Sequence, residues 1–163
     1  MNITPIPAFS DNYIWMIAHE GRAAVVDPGD PTPVLKTLEE QGLALDTIII
    51  THHHFDHTGG VSALKKATGC RVIGPDNPKI ADIDETMTEG ARVTVLGYGF
   101  EIMEVPGHTL DHIAYYNAED GTLFCGDTLF VGGCGRVFEG TFPMMQQSLA
   151  KLSHLPCETK VCL

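Results

Sequence analysis

The stretch from Thr47 to Gly60 constrains this chain more than any other. Thr47-Ile48-Ile49-Ile50 is a continuous β-branched run that reads as a buried strand. Val61-Ser62-Ala63-Leu64-Lys65-Lys66-Ala67 reads as a helix opened by Gly59-Gly60 and closed by Gly69. Between them lies Thr51-His52-His53-His54-Phe55-Asp56-His57-Thr58, so imidazoles and a carboxylate crowd the turn where a strand hands over to a helix. Loops at the carboxyl ends of strands are where α/β proteins place their chemistry. Ordinary loops favour Gly, Pro, Asn and Asp over clustered His, and imidazole nitrogen with carboxylate oxygen suits zinc, iron or manganese. Alternate side chains of an extended segment share a face, so His52 and His54 can grip one ion while His53 points elsewhere. As the chain tightens towards the helix, Asp56 and His57 are redirected and can serve a second ion.

Composition narrows the function classes. The chain has 163 residues, one ordinary domain, with 44% hydrophobic and 19% charged residues, as in a soluble globular protein. The net charge of −11 argues against nucleic-acid binding, which needs a basic face. An anionic substrate would need local cationic help. Met1-Asn2-Ile3-Thr4-Pro5 has neither the basic segment nor the apolar core of a signal peptide, and no apolar run approaches membrane-spanning length. The cysteines, at 70, 125, 134, 157 and 162, are odd in number and form no CxxC pair, so reduced thiols in the cytoplasm are expected.

In chain order, residues 1–10 read as a short strand and turn, followed by a hairpin of Asp11–Ile17 with Arg22–Asp27 around Gly21. Asp27-Pro28-Gly29-Asp30-Pro31 is a breaker cluster in which Asp30 can cap a helix running to about Gln41 and stopped by Gly42. Arg71–Gly74 is a short strand, and Pro75 to Glu89 reads as irregular. Strands are expected at Arg92–Leu96 and Phe100–Glu104 around a Gly97-Tyr98-Gly99 turn, then at Ile113–Asn117, Thr122–Cys125 and Thr159–Leu163. Met145, Leu149 and Leu152 have helical spacing within Met144–Leu152, a packing face.

Two more chemistry-bearing residues follow strand ends. His108 follows Phe100–Val105, and Asp127 follows Thr122–Cys125. His108 reads either as a turn histidine or as a ligand. Asp127 reads either as an Asx-turn residue or as a carboxylate bridging two cations. If these strand ends share one rim of a sandwich, both converge on the histidine turn. Cys125 and Cys134 lie nearby, with nothing beside them in sequence that activates a thiol.

These residues carry a resemblance. Thr51–His57 matches the T-H-x-H-x-D-H signature of the metallo-β-lactamase superfamily, and Pro106-Gly107-His108-Thr109 and Gly126-Asp127-Thr128-Leu129-Phe130 match its next two motifs in order. Within that superfamily the chain resembles the glyoxalase II (hydroxyacylglutathione hydrolase) family. That match rests on Asp11-Asn12-Tyr13-Ile14-Trp15, on Val26-Asp27-Pro28-Gly29 and on Gly132-Gly133-Cys134-Gly135-Arg136-Val137-Phe138-Glu139-Gly140-Thr141. It covers nearly the whole chain.

The resemblance implies an α/β fold, the αββα sandwich: two mixed sheets face to face, helices outside, metals at one rim. It assigns His52, His54 and His108 to the first of two divalent metal ions, most readily zinc, with iron or manganese as alternatives. Asp56 and His57 go to the second, with Asp127 bridging. The implied reaction is hydrolysis of S-D-lactoylglutathione to D-lactate and glutathione by a metal-bridged hydroxide, a step of methylglyoxal detoxification, with Asp56 and Asp127 catalytic. Arg136, Val137 and Phe138 would meet the glutathione thioester, the arginine supplying positive charge and Phe138 packing without the hydrogen bond of a tyrosine. His112 would support the site as a hydrogen-bond donor; His19 and His154 are surface residues. The family takes one more histidine for its second ion, aligned just beyond Leu163, and carries a C-terminal helical domain. The expectation is therefore a catalytic domain at residues 1–163 without that ligand or that domain. A cytoplasmic monomer without nucleic-acid or membrane partners is expected. The alternatives are a mono-iron persulfide dioxygenase of the same fold and a metal-binding but inactive module.

Overall fold

The computed structural model describes residues 1–163. Strands β1 (Asn2–Ala8) and β2 (Asn12–His19) pair antiparallel, and β3 (Arg22–Val26) turns back around Gly21, whose φ of +76° suits a residue without Cβ. Helix α1 (Pro31–Gln41) has the ends its sequence signals: Asp30 accepts from the Thr32 N–H at 2.9 Å, and Gly42 closes it in the left-handed region. Strand β4 (Ala44–Ile49) then runs parallel to β3. Past it come the one-turn helix α2 (Phe55–Thr58), helix α3 (Val61–Thr68) and the parallel strand β5 (Arg71–Pro75). Strand β6 (Glu85–Met87) completes a six-stranded mixed sheet in sequential order. It falls in the 75–89 stretch expected to be irregular. Two of its three residues are exposed, so no alternating pattern marks it, and pairing to β5 alone makes it a strand.

The second sheet begins with β7 (Arg92–Val95) and β8 (Tyr98–Glu104). Their turn is tighter than the expected Gly97-Tyr98-Gly99. It uses Leu96 and Gly97, both at positive φ (52° and 84°), while Tyr98 and Gly99 pair with Val95 and Thr94. A two-residue turn of that hand matches the strand twist, which explains the shift. Strands β9 (Ile113–Asn117) and β10 (Thr122–Phe124) continue the sheet. A ribbon of β11 (Leu129–Phe130) and β12 (Gly133–Cys134) follows, too short to show in sequence. Helix α4 (Phe142–Ser153) starts earlier than the expected Met144, because Thr141 caps the Met144 N–H and Pro143 fits the first turn. Strand β13 (Lys160–Cys162) lies parallel to β10, giving the order β13-β10-β9-β8-β7.

Three cores define the layers. One side of the first sheet packs on α1 and α3 through Val34, Leu38, Val61 and Leu64. Its other side meets the second sheet through Ile17, Val26, Ile49 and Ile73 against Phe100, Ile102, Tyr115 and Phe124. Leu152 of α4 packs with Leu123 and Tyr116 outside the second sheet. This is the αββα sandwich expected from the resemblance. No helix is long and apolar enough to cross a membrane. All five cysteines are free. The carboxyl ends of β3, β4, β8 and β10 lead to Asp27, Thr51-His52, His108 and Asp127, so one rim collects the polar residues of both sheets.

Candidate metal centre

Backbone packing sets the turn after β4. A Cβ on Gly29 would overlap the Asp56 carbonyl oxygen, and one on Gly60 would sit 2.6 Å from the Pro28 carbonyl. The loop after β3 and the loop after β4 therefore lie backbone against backbone. His52 and His54 project from the extended part, while α2 turns Asp56 and His57 inward. His52, His54, His108 and Asp127 bring one ligand atom each to within 4.8 Å of one another, and so do Asp56, His57 and Asp127. Asp127 Oδ2 stands between the groups, 3.3 Å from His108 Nε2, 3.3 Å from His57 Nε2 and 3.8 Å from His52 Nε2.

The outer nitrogen of three of these rings is tied down. Thr51 donates its hydroxyl proton to Asp27 Oδ2 (2.6 Å), so its oxygen receives His52 Nδ1–H at 2.9 Å. His57 Nδ1–H donates to Asp27 Oδ2 at 2.9 Å, and His108 Nδ1–H to the Arg136 carbonyl at 2.6 Å. The network thereby turns each Nε2 inward, and on His52, which burial keeps neutral, that nitrogen carries the lone pair. On His57 and His108 the lone pair is freed when a cation displaces the proton. His52 Nε2 and His57 Nε2 are buried without a hydrogen-bond partner. Such atoms cost about 1–3 kcal/mol each when nothing satisfies them. Two orphaned imidazole nitrogens facing carboxylates are the donor set a divalent cation completes, so these residues fit a metal.

The electrostatics divide the cluster. Burial pushes His52 well below its ordinary value, and the neighbouring histidines push it further. Burial would lower His57 too, but contacts with Asp127, Asp27 and Asp56 override this and push it up to about 12. Burial would raise Asp127, yet His108 and His57 hold it well below the carboxylate range. Asp56 is lowered to about 2, chiefly through His57 and Asn12. A site that holds a proton so firmly on His57 holds it by negative charge, which favours a metal cation equally.

Other residues fall around this centre. His53 turns away, to Asp111 (3.0 Å) and Glu139 (3.7 Å). His112 is fully buried, stacked on His52 at 4.4 Å, and pushed down to about 3 by burial. The expectation that it donates to the site is corrected: its Nε2 accepts from the Asp127 backbone N–H (3.1 Å), so any donation is from Nδ1, which lies 3.2 Å from the Ile113 carbonyl and 3.4 Å from Thr128 Oγ1. The Phe138 ring lies 5.3 Å from His108 and 6.0 Å from His54. Arg136 reaches the centre through its carbonyl, with its side chain exposed, and Val137 is half-buried between them. Sequence reading passed over Asp27, which accepts from Thr51 N–H, the Thr51 hydroxyl and His57. It ends a strand just as Asp127 does, and that shared placement was the available signal.

The family model described as "Metallo-beta-lactamase superfamily" matches residues 8–161. A hydroxyacylglutathione hydrolase of Ectopseudomonas mendocina is 57% identical over 99% of this chain, which spans 64% of that relative's length. Among solved structures, ETHE1 from Myxococcus xanthus superposes with a TM-score of 0.87 at 31% identity, covering 99% of this chain and 74% of that one. The BLEG-1 B3 metallo-beta-lactamase superposes at 0.90 with 24% identity, covering 98% and 90%, a likeness of fold.

Proposed function

This chain belongs to the metallo-β-lactamase superfamily, and on that premise we propose that residues 1–163 form the catalytic domain of a hydroxyacylglutathione hydrolase. The observation that carries the reading is one rim where the orphaned Nε2 atoms of His52 and His57 meet His54, His108, Asp56 and Asp127. The name of the 57% identical relative supports the substrate class, a glutathione thioester such as S-D-lactoylglutathione. His52, His54 and His108 would hold one divalent cation, Asp56 and His57 a second, and Asp127 both. When bound, the cations would supply a water acidic enough to react at neutral pH and a Lewis acid for the thioester carbonyl.

The chain's own residues do the rest. Asp127 and Asp56 stay ionised at neutral pH and keep the pocket negative. Asp27 and Thr51 hold the His57 and His52 rings so that the Nε2 atoms face inward. Phe138, 62% exposed beside His108, offers an apolar face to the thioester's carbon chain. The exposed Arg136 guanidinium is the local cation for a glutathione carboxylate. The departing thiolate is weakly basic and leaves without a proton, so the pocket needs no acid group beside it. Zinc is the favoured metal, five unpaired cysteines suit a cytoplasmic location, and a monomer is the proposed state.

The test is thiol release from S-D-lactoylglutathione by the metal-depleted protein before and after zinc, iron or manganese is restored. Release that appears with metal and vanishes with chelator is expected. No release with any metal would sink the hydrolase reading. Oxygen uptake with a glutathione persulfide and iron would replace it with the mono-iron dioxygenase.

A further inference from the structure

We propose that Asn12 is the positioning residue of Asp56, fixing the carboxylate through which the Asp56, His57 and Asp127 group takes its cation. The inference rests on reading that group as a cation site. It starts from an inequality among the side chains of the rim. His52, His57 and His108 are each braced from behind, by Thr51, Asp27 and the Arg136 carbonyl. Asp56 has no such backing of its own. It sits on α2, a single helical turn without a side-chain cap, and its side chain is 48% exposed. Left to itself it would exchange rotamers, and a cation would have to order it at the moment of binding.

Asn12 supplies the missing brace. From the start of β2 its Nδ2 donates to Asp56 Oδ2 at 3.0 Å and reaches the Asp56 backbone oxygen at 3.4 Å. Gly29 closes on that backbone oxygen as well, with no room for a Cβ. Peptide and carboxylate are therefore both gripped. The oxygen that Asn12 holds is the one that faces the site: Oδ2 also lies 3.3 Å from His57 Nε2. A carboxylate oxygen has a second lone pair, so one can take the amide N–H while the other points at the cation. A neutral donor suits the task, since a lysine or arginine there would repel the cation it is meant to help. Asn12 also belongs to the Asp11–Trp15 segment, which the metal reading otherwise leaves without a role.

The experiment is a cobalt(II) titration of metal-free protein, following equivalents bound and the visible absorption of each. Wild type is compared with N12A, with N12L, which keeps the volume while removing the donor, and with D56A, which marks the equivalent that depends on Asp56. Urea melts of the metal-free proteins run alongside. The expected result is that N12A and N12L weaken the D56A-sensitive equivalent by about 10- to 100-fold and alter its spectrum. The other equivalent and the melts should stay as in wild type. An unchanged D56A-sensitive equivalent in both variants overturns the proposal. Equal weakening of every equivalent with a lowered melt also overturns it, and leaves Asn12 a merely structural residue. If wild type binds cobalt with no equivalent sensitive to D56A, the cation site itself is wrong and the proposal falls with it.

Discussion

The two halves of the rim solve one problem by different means. His52, His54 and His108 form a site of three imidazoles, two of them buried, whose outer nitrogens lean on a hydroxyl and a carbonyl. Asp56 and His57 form a site of charge on one turn of helix, where Asp27, Asp56 and Asp127 surround a single ring. Burial drives His52 and His54 towards neutrality, while carboxylates hold the proton on His57 and pull His108 the same way. The first half is prepared by its shape, the second by its field. Asp127 belongs to both, so the comparison breaks most completely there.

Replacing Asp127 should therefore have the largest effect. D127A is expected to abolish uptake of both metal equivalents and to lower thioester hydrolysis by about a thousandfold, read by elemental analysis and thiol release. Retention of one full equivalent would show that the halves do not share this carboxylate.

Asp27 tests whether the charged half is held from behind. D27A strands the Thr51 N–H, the Thr51 hydroxyl and His57 Nδ1–H in a buried position. A loss of about 3 kcal/mol of folding stability is expected in urea melts of the metal-free protein. A loss below about 0.5 kcal/mol would mean that water replaces the carboxylate.

Acidity separates the halves further in the metal-free protein. His112, stacked behind His52, has a folded pKa of about 3, below its unfolded value of 6.5. The unfolded chain takes a proton that folded His112 refuses, so its contribution is whole above pH 6.5 and drains away as pH falls towards 3. His57 has the opposite sign: its folded pKa of about 12 makes its contribution whole below pH 6.5 and lost as pH rises through 12. Stability measured from pH 7 to 4 should fall by on the order of a few kcal/mol. H112Q should flatten that slope. An unchanged slope would assign the acid sensitivity elsewhere.

The smallest effect belongs at the edge, where neither half is disturbed. F138A removes an exposed ring that faces His54 and His108 without holding either. A rise in KM of roughly tenfold with little change in kcat is expected, the worth of one apolar contact. A fall in kcat alone would move Phe138 from substrate binding to ordering the imidazole half.

Much of this was legible in one dimension. The Asp30 cap, the Gly42 and Gly69 stops and the buried run Thr47–Ile50 are local signals, and the elements they announce are present. So is the αββα class, carried by motifs spread along the chain. Strand β6 and the β11–β12 ribbon were not legible, because strands this short have no period and exist through their partners. Asp27 looked like part of a breaker cluster, and Asn12 like part of an apolar strand. Each acquires its role only from a residue far along the chain, His57 for one and Asp56 for the other.

By itself the sequence determined which groups could bind: imidazoles and carboxylates set at strand ends, in a chain of net charge −11. Only the tertiary structure decided which nitrogen of each ring faces inward, which carboxylate both halves share, and that His112 accepts from the Asp127 backbone through Nε2. The physical reason is that ligand types are properties of residues. Tautomer, orientation and field arise where two sheets bring their strand ends to one rim and water is excluded between them.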